Sequence, residues 1–215
     1  MQRLRVRFSR GEGIKYISHL DMMRLWQRAL HRAAMPPLYS EGFSPHPRIS
    51  LAAPLPLGVT SQAELMDVYC SGVVSPHAFA LAVGRQLPAD IAIAQVYPVG
   101  LALPSLQALV RYADYTVTVN TDKDQSEIEA MLNDMLALEQ LLWQHQRDNE
   151  IRQYDLRALI DDLWFIERYE GQCTLGMRLH CGSHGAGRPE QVVAALGFTD
   201  YPRSIHRTGL ILETG

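Results

Sequence analysis

The chain has 215 residues, is 47% apolar and 20% charged, and carries a formal net charge of -3. Those proportions are those of a globular protein of one large or two small domains, and no stretch approaches the roughly 18 apolar residues that span a bilayer. The first 60 residues hold nine Lys or Arg against three Asp or Glu, and the remainder holds eleven against twenty. Two readings of this split stand side by side: an anionic partner for the basic part, or attraction between the two parts.

In chain order, "LRVRFSR" alternates strictly, with Leu4, Val6 and Phe8 on one face and Arg3, Arg5 and Arg7 on the other. That is the period of a half-buried strand. After a turn at Gly11 and Gly13, Ser18 caps a helix with Asp21 at its third position. Met22, Trp26, Ala29, Leu30 and Ala33 form the apolar stripe of that helix, and Arg24, Gln27, Arg28, His31 and Arg32 fill the opposite arc. "MPPL" ends it, because proline cannot continue a helix.

"YSEGFSPHPRIS" is a turn-rich segment, "ISLAAPLPLG" an edge strand running into a stiff loop, and "AELMDVYC" a third strand. Ser75 caps a second helix that begins at Pro76, and "IAIAQVYPV" is a fourth strand ending near Val99. The order β-α-β-β-α-β is that of a ferredoxin-like sandwich, assigned to residues 1–99. "GLALPSLQAL" is a connector.

The pattern then restarts over 111–215: strand "YADYTVTVN", a helix capped by Ser126, and a hairpin formed by "LLWQHQ" and "IRQYDL". Strand "CTLGMRLHC", a short helix closed by Gly197 and strand "SIHRTGLIL" complete it. The expected fold class is therefore α+β, two tandem ferredoxin-like sandwiches, the second degenerate with an insertion around residues 155–170. Cys70, Cys173 and Cys181 are widely spaced and odd in number, which suits free thiols and a cytoplasmic location. The N-terminus, with its alternating arginines, does not read as a secretory leader.

Three segments together carry a resemblance. "LRVRFSRGEGIKYISHLDMMRLWQRALHRAAMP", "YSEGFSPHPRISLAAPLPLG" and "GRPEQVVAAL" with "HRTGL" resemble the radical-SAM-linked protein family, a bacterial family of unknown function. The motif residues that carry it are Ser18, His19, Asp21, Glu41, His46, Arg48, Arg188 and Arg207. The resemblance implies a companion of a cobalamin-binding radical SAM protein, and work on RNA, either rRNA or tRNA. The radical enzyme itself needs a C-x3-C-x2-C cluster site, and none of the three cysteines here has that spacing.

If the second sheet face is open, Arg3, Arg5 and Arg7 line it and suit phosphates. Asp67 and Tyr69 on the neighbouring strand share that face, Asp67 as an ion-pair partner and Tyr69 as a base-stacking platform. Arg24, Arg28 and Arg32 form an i, i+4, i+8 ladder that either holds an anion or is a solvated face. Because the helix surface and the open sheet face lie on opposite sides of one layer, the expected RNA grip is the sheet face with the following loop, including Arg48.

His19 and His46 are the candidate general bases. His19 otherwise hydrogen-bonds the next loop, and Glu41 otherwise pairs with Arg48. His180, Cys181, His184 and Cys173 contain no C-x2-C pair, so no metal is expected, and no cofactor. Arg188 and Arg207 join an RNA surface or pair with Asp155, Asp161 or Asp162. The leading expectation is a non-catalytic, RNA-binding or substrate-presenting partner in RNA modification or ribosome biogenesis, with no membrane and no DNA. An RNA-processing endonuclease with a histidine base and a protein–protein adaptor are the alternatives.

Overall fold

The computed structural model describes residues 1–213 except residues 42, 44, 148–149 and 183–184, and for residues 145–147 and 150–152 it describes the backbone alone. The chain is a mixed α+β protein that divides into two compact units. One unit holds residues 1–110 with the last residues from Leu212 onward; the other holds residues 111–211.

The first unit is built on β1 (Gln2–Arg10), α1 (His19–Arg32), β2 (Ile49–Leu51), β3 (Thr60–Cys70), α2 (Pro76–Gly84) and β4 (Ile93–Val99). Its sheet order is β4-β1-β3-β2, and every pairing is antiparallel. The alternation of β1 does what its period dictates: Leu4, Val6 and Phe8 are buried under the helices with Met22, Trp26, Ala29 and Leu30 of α1 and Phe79 and Val83 of α2. The Phe8 and Trp26 rings meet edge-on with centroids 4.9 Å apart. Ser75 caps α2 with Pro76 in its first turn, as the sequence indicates.

The connector is not a free linker. It folds into α3 (Leu106–Leu109), capped by Ser105, with Leu106 buried. Gln107 donates to the Ser50 hydroxyl at 2.5 Å and to the Leu51 carbonyl at 2.7 Å. Its polar side chain thereby fastens the connector to β2.

The second unit contains β5 (Val110–Asn120), α4 (Gln125–Ala137), β6 (Leu142–Arg147), β7 (Glu150–Asp155), β8 (Ile160–Tyr169), β9 (Gln172–Gly182), β10 (Gly185–Ala186), α5 (Pro189–Ala195) and β11 (Ser204–Leu212). β9 lies antiparallel to β5, β8 and β10, and β5 neighbours β11. Two expectations are corrected. The cap of α4 is Asp124, not Ser126, in a reciprocal capping box with Glu127. The expected insertion at 155–170 is occupied by β8, a sheet strand paired with β9, while β6 and β7 pair only with each other. β8 escapes a reading by alternation because most of its side chains are exposed and its pairing with β9 is irregular at two places. Gly176 on β9 lies under the Trp164 ring of β8, where a Cβ would overlap the indole.

All three cysteines are buried free thiols. Burial pushes the Cys173 thiol up to about 11, with a small opposing pull from Arg168. No helix among the described residues is long and apolar enough to cross a membrane.

Candidate nucleic-acid interface

The arginine row of β1 faces away from the helices, as its period requires. Its register sets Arg5 opposite Asp67 on β3 and Tyr97 on β4, and Arg3 opposite Tyr69. Asp67, with no exposed surface, accepts from both cations. Arg3 Nε and Nη2 reach Asp67 Oδ2 at 2.9 and 2.6 Å; Arg5 Nε reaches Oδ1 at 2.8 Å and its Nη2 reaches Oδ2 at 3.1 Å. Arg3 also donates to the carbonyls of Leu103 and Pro104, both at 2.9 Å. Arg3 is 1% exposed and Arg5 5%.

This overturns the expectation of an open cationic face at Arg3 and Arg5. The connector supplies Arg3 with two carbonyl acceptors, part of the hydrogen bonding that buried guanidinium groups require. Burial alone would lower the Arg5 pKa, but the hydrogen bonds and charge of Asp67 raise it above its ordinary value. Arg7 stays exposed, with no side-chain partner among the described residues.

Tyr69 is half-buried, and its ring is already engaged. The Arg48 guanidinium carbon lies 4.2 Å from the ring centroid and that of Arg3 5.6 Å. Cation–π stacking thus occupies the surface that the sequence suggested as a platform for bases.

The second arginine row has the opposite fate. Ser18 Oγ accepts from the Asp21 amide at 3.1 Å and donates to Asp21 Oδ2 at 2.8 Å. The Ser18 hydrogen bond, then Arg24, hold the Asp21 carboxyl below the usual range. From that fixed start the 3.6-residue period buries Met22, Trp26, Ala29 and Leu30 and turns Arg24, Arg28 and Arg32 to solvent. Arg24 touches Asp21 at 3.2 Å; Arg28 acts on the same carboxylate only through its charge, and Arg28 and Arg32 form no side-chain hydrogen bond or close ion pair among the described residues.

Beyond α1 the chain reverses at Ala34, whose φ is +51°. Leu38 N then donates to the Tyr69 carbonyl and Arg48 N to the Leu38 carbonyl, each at 2.7 Å, and Ser40 N to the His46 carbonyl at 2.9 Å. The turn-rich segment is therefore a short ladder closed by the bridge between Tyr39 and Pro47. Between it and α1 lies a groove of about 360 Å³, walled by Arg24, Gln27, Arg28, His31 and Arg32 on one side and Tyr39 and Pro47 on the other. Tyr39 is 48% exposed, and Phe43 at the far end of the ladder is fully exposed.

The two histidines occupy separate surroundings. His19 is exposed and borders a cleft of about 10 Å³ shared with Arg10 and the buried Glu64. That volume holds about one water molecule. The hydrogen bond expected from His19 to the next loop is not formed among the described residues. His46 is exposed, with Nδ1 3.2 Å from Ser40 Oγ and its amide donating to the same oxygen. Glu41 is exposed and forms no ion pair with Arg48 among the described residues; Arg48 turns to Tyr69 instead.

Arg188 is exposed and precedes α5, whereas Arg207 is fully buried, which removes it from any surface grip. Asp155 accepts from the Leu141 and Arg157 amides, and Asp162 from that of Leu163. His184 lies outside the described residues, and no group of three metal-ligating side chains occurs among the described ones.

A family model described as an uncharacterized protein conserved in bacteria, DUF2344, matches residues 3–189. The chain belongs to the DUF2344 family. No curated protein sequence matches this DUF2344 chain. Among solved structures, a chain of a crystallised Cbf5-Nop10-Gar1 complex is similar at a TM-score of 0.54 and 9% identity, covering 98% of this chain and 50% of that one. A chain of an H/ACA RNP bound to a substrate RNA containing 2'-deoxyuridine gives 0.50 at 9% identity, over 95% and 46%. A chain of an archaeal box H/ACA sRNP Nop10-Cbf5 complex gives 0.49 at 8% identity, over 95% and 46%. The DUF2344 chain thus spans about half the length of the solved chains it matches, and at such identity the likeness is one of fold.

The family match takes in both arginine rows, Tyr69 and the whole groove, and stops short of β11 with Arg207. Sequence reasoning named the α1 arginines, with Gln27 and His31 on the same arc, but missed Tyr39 and Pro47 as the facing wall of one groove; Arg48, also named, lies over Tyr69 outside it. The available signal was Tyr39, an aromatic two residues after the "MPP" that ends the helix.

Proposed function

We propose that this DUF2344 protein is a non-catalytic RNA-binding, substrate-presenting partner of a radical SAM enzyme acting in RNA modification or ribosome biogenesis. The single observation that carries the RNA part is the groove beside α1. Three exposed arginines share one wall, and among the described residues only Arg24 forms a close ion pair, with Asp21. Like charges at i, i+4 spacing repel by roughly 0.2–0.5 kcal/mol per pair. A polyanion relieves that repulsion and releases its own counterions on binding.

RNA is favoured over other polyanions by the fold likeness to a chain crystallised in an RNA-bound H/ACA RNP, which is an argument by analogy. The radical SAM partner rests on the motif resemblance around "SHLD" and "EGFSPHPRIS". In the same reading each unit is a ferredoxin-like sandwich. The first has the order β4-β1-β3-β2, and the second repeats it as β11-β5-β9-β8 with the β6–β7 hairpin inserted.

The test is salt-dependent binding of structured RNA by the wild type and an Arg24/Arg28/Arg32→Gln variant. The expected result is weaker binding by the variant and a slope of log K against log salt shallower by about 2–3, at roughly 0.7–0.9 per lost phosphate contact. Equal binding and equal slope overturn the reading. RNA cleavage that disappears on His19→Ala or His46→Ala would point to the nuclease instead. Capture of a protein partner unchanged by ribonuclease, without RNA binding, would point to an adaptor.

A further inference from the structure

We infer that the groove beside α1 takes a single-stranded RNA segment, with successive phosphates along Arg24, Arg28 and Arg32 and a nucleobase stacked on Tyr39. This rests on the RNA-binding reading above and adds which form of RNA is bound and what recognises it.

Spacing comes first. Residues four apart on a helix rise about 6 Å per step. That is comparable with the separation of neighbouring phosphates along one extended strand, so a single backbone running along α1 meets a cation at each step. A duplex offers its phosphates on two ridges and keeps its bases paired inside, so it presents no free base face to a ring beside the cations.

The opposite wall supplies the second argument. Cations alone would hold any polyanion. Here the wall facing them is Tyr39, an aromatic ring with 48% of its surface exposed, backed by Pro47. A strand whose phosphates lie on α1 turns its bases away from the helix, towards that wall. Aromatic side chains facing a cationic track are the recurring arrangement for unpaired bases, because every base has a stacking face whatever its sequence.

The ladder is also built to hold the ring in place. Its amide hydrogen bonds tie Leu38 to Tyr69 and Arg48, and Ser40 to His46. Prolines 45 and 47 reduce the freedom of the returning arm. Phe43, fully exposed in the same segment, is a second aromatic ring open to solvent. A base beyond the groove would find it.

Fluorescence anisotropy with a labelled ten-nucleotide single strand of mixed sequence, the same strand annealed to its complement, and inorganic polyphosphate decides the matter. The variants are Tyr39→Leu, Tyr39→Phe, Phe43→Ser and the Arg24/Arg28/Arg32→Gln triple, each with its melting temperature recorded. Wild type should bind the single strand at least tenfold more tightly than the duplex. Tyr39→Leu should weaken single-strand binding by about tenfold with the salt slope unchanged. Tyr39→Phe should restore it, Phe43→Ser should cause a smaller loss, and none of the three should alter polyphosphate binding.

Equal affinity for single strand and duplex, or a Tyr39→Leu protein that melts normally and binds as wild type, overturns this inference. If the arginine triple still loses binding in that case, the RNA-binding reading survives it. If the triple binds as wild type, both fail together.

Discussion

The protein carries two rows of three arginines within its first 32 residues, and they end in opposite environments. In the β1 row, Arg3 and Arg5 are buried and share one aspartate, and Arg3 also holds two connector carbonyls. In the α1 row, Arg24, Arg28 and Arg32 stay in water beside an exposed tyrosine. Both rows obey the period of their element, and in sequence the β1 row looks the better suited to phosphate. The difference lies in what packs over them, so an arginine count locates cations without saying which are free.

Removing the shared anion is the harshest way to break this contrast. Asp67→Ala leaves two buried cations without their carboxylate and should destabilise the protein by about 3–5 kcal/mol, read from urea unfolding. An Arg3→Met/Arg5→Met/Asp67→Leu variant removes all three charges together and should recover most of that loss. Failure of both expectations would mean that the cluster is hydrated and the row accessible after all.

Arg3→Met alone should cost less, about 2–3 kcal/mol, because Arg5 still holds Asp67 while two connector carbonyls lose their charged donor. Ser18→Ala tests the start of the exposed row. It removes the cap that fixes α1 and should cost about 1 kcal/mol in thermal unfolding.

At the gentle end, Arg28→Gln should raise stability by about 0.2–0.5 kcal/mol through relieved repulsion, while weakening RNA binding. The opposite signs of the Arg3 and Arg28 substitutions are the sharpest form of the comparison. An Arg28→Gln protein as destabilised as Arg3→Met would place Arg28 among structural residues.

Local signals made much of this legible. The alternation of residues 4–8 gave the buried face of β1, and Ser18 with the stripe Met22, Trp26, Ala29 and Leu30 gave α1 and its exposed arc. Burial of Arg3 and Arg5 was hidden because its causes are distant. Asp67 is more than 60 residues away, and the covering carbonyls come from an irregular segment about 100 residues on. Asp67 was visible as a possible partner, but pairing alone does not reveal the cover.

The ladder from Leu38 to Arg48 was hidden for another reason. Only a few backbone hydrogen bonds and one bridge define it, and a proline-rich segment offers no side-chain period to read. Arg48 was expected beside a carboxylate and instead stacks on Tyr69, a choice made by register on the neighbouring strand.

The hold of Arg3 on Leu103 and Pro104 bears on how the molecule can be dissected. A fragment ending at Val99 would keep every strand and helix of the β4-β1-β3-β2 layer yet lose both carbonyl acceptors of Arg3 and the buried Leu106. Such a fragment would display a cationic surface foreign to the intact protein and would bind nucleic acid for the wrong reason. Expression boundaries for the basic part therefore belong after Leu109, where α3 ends.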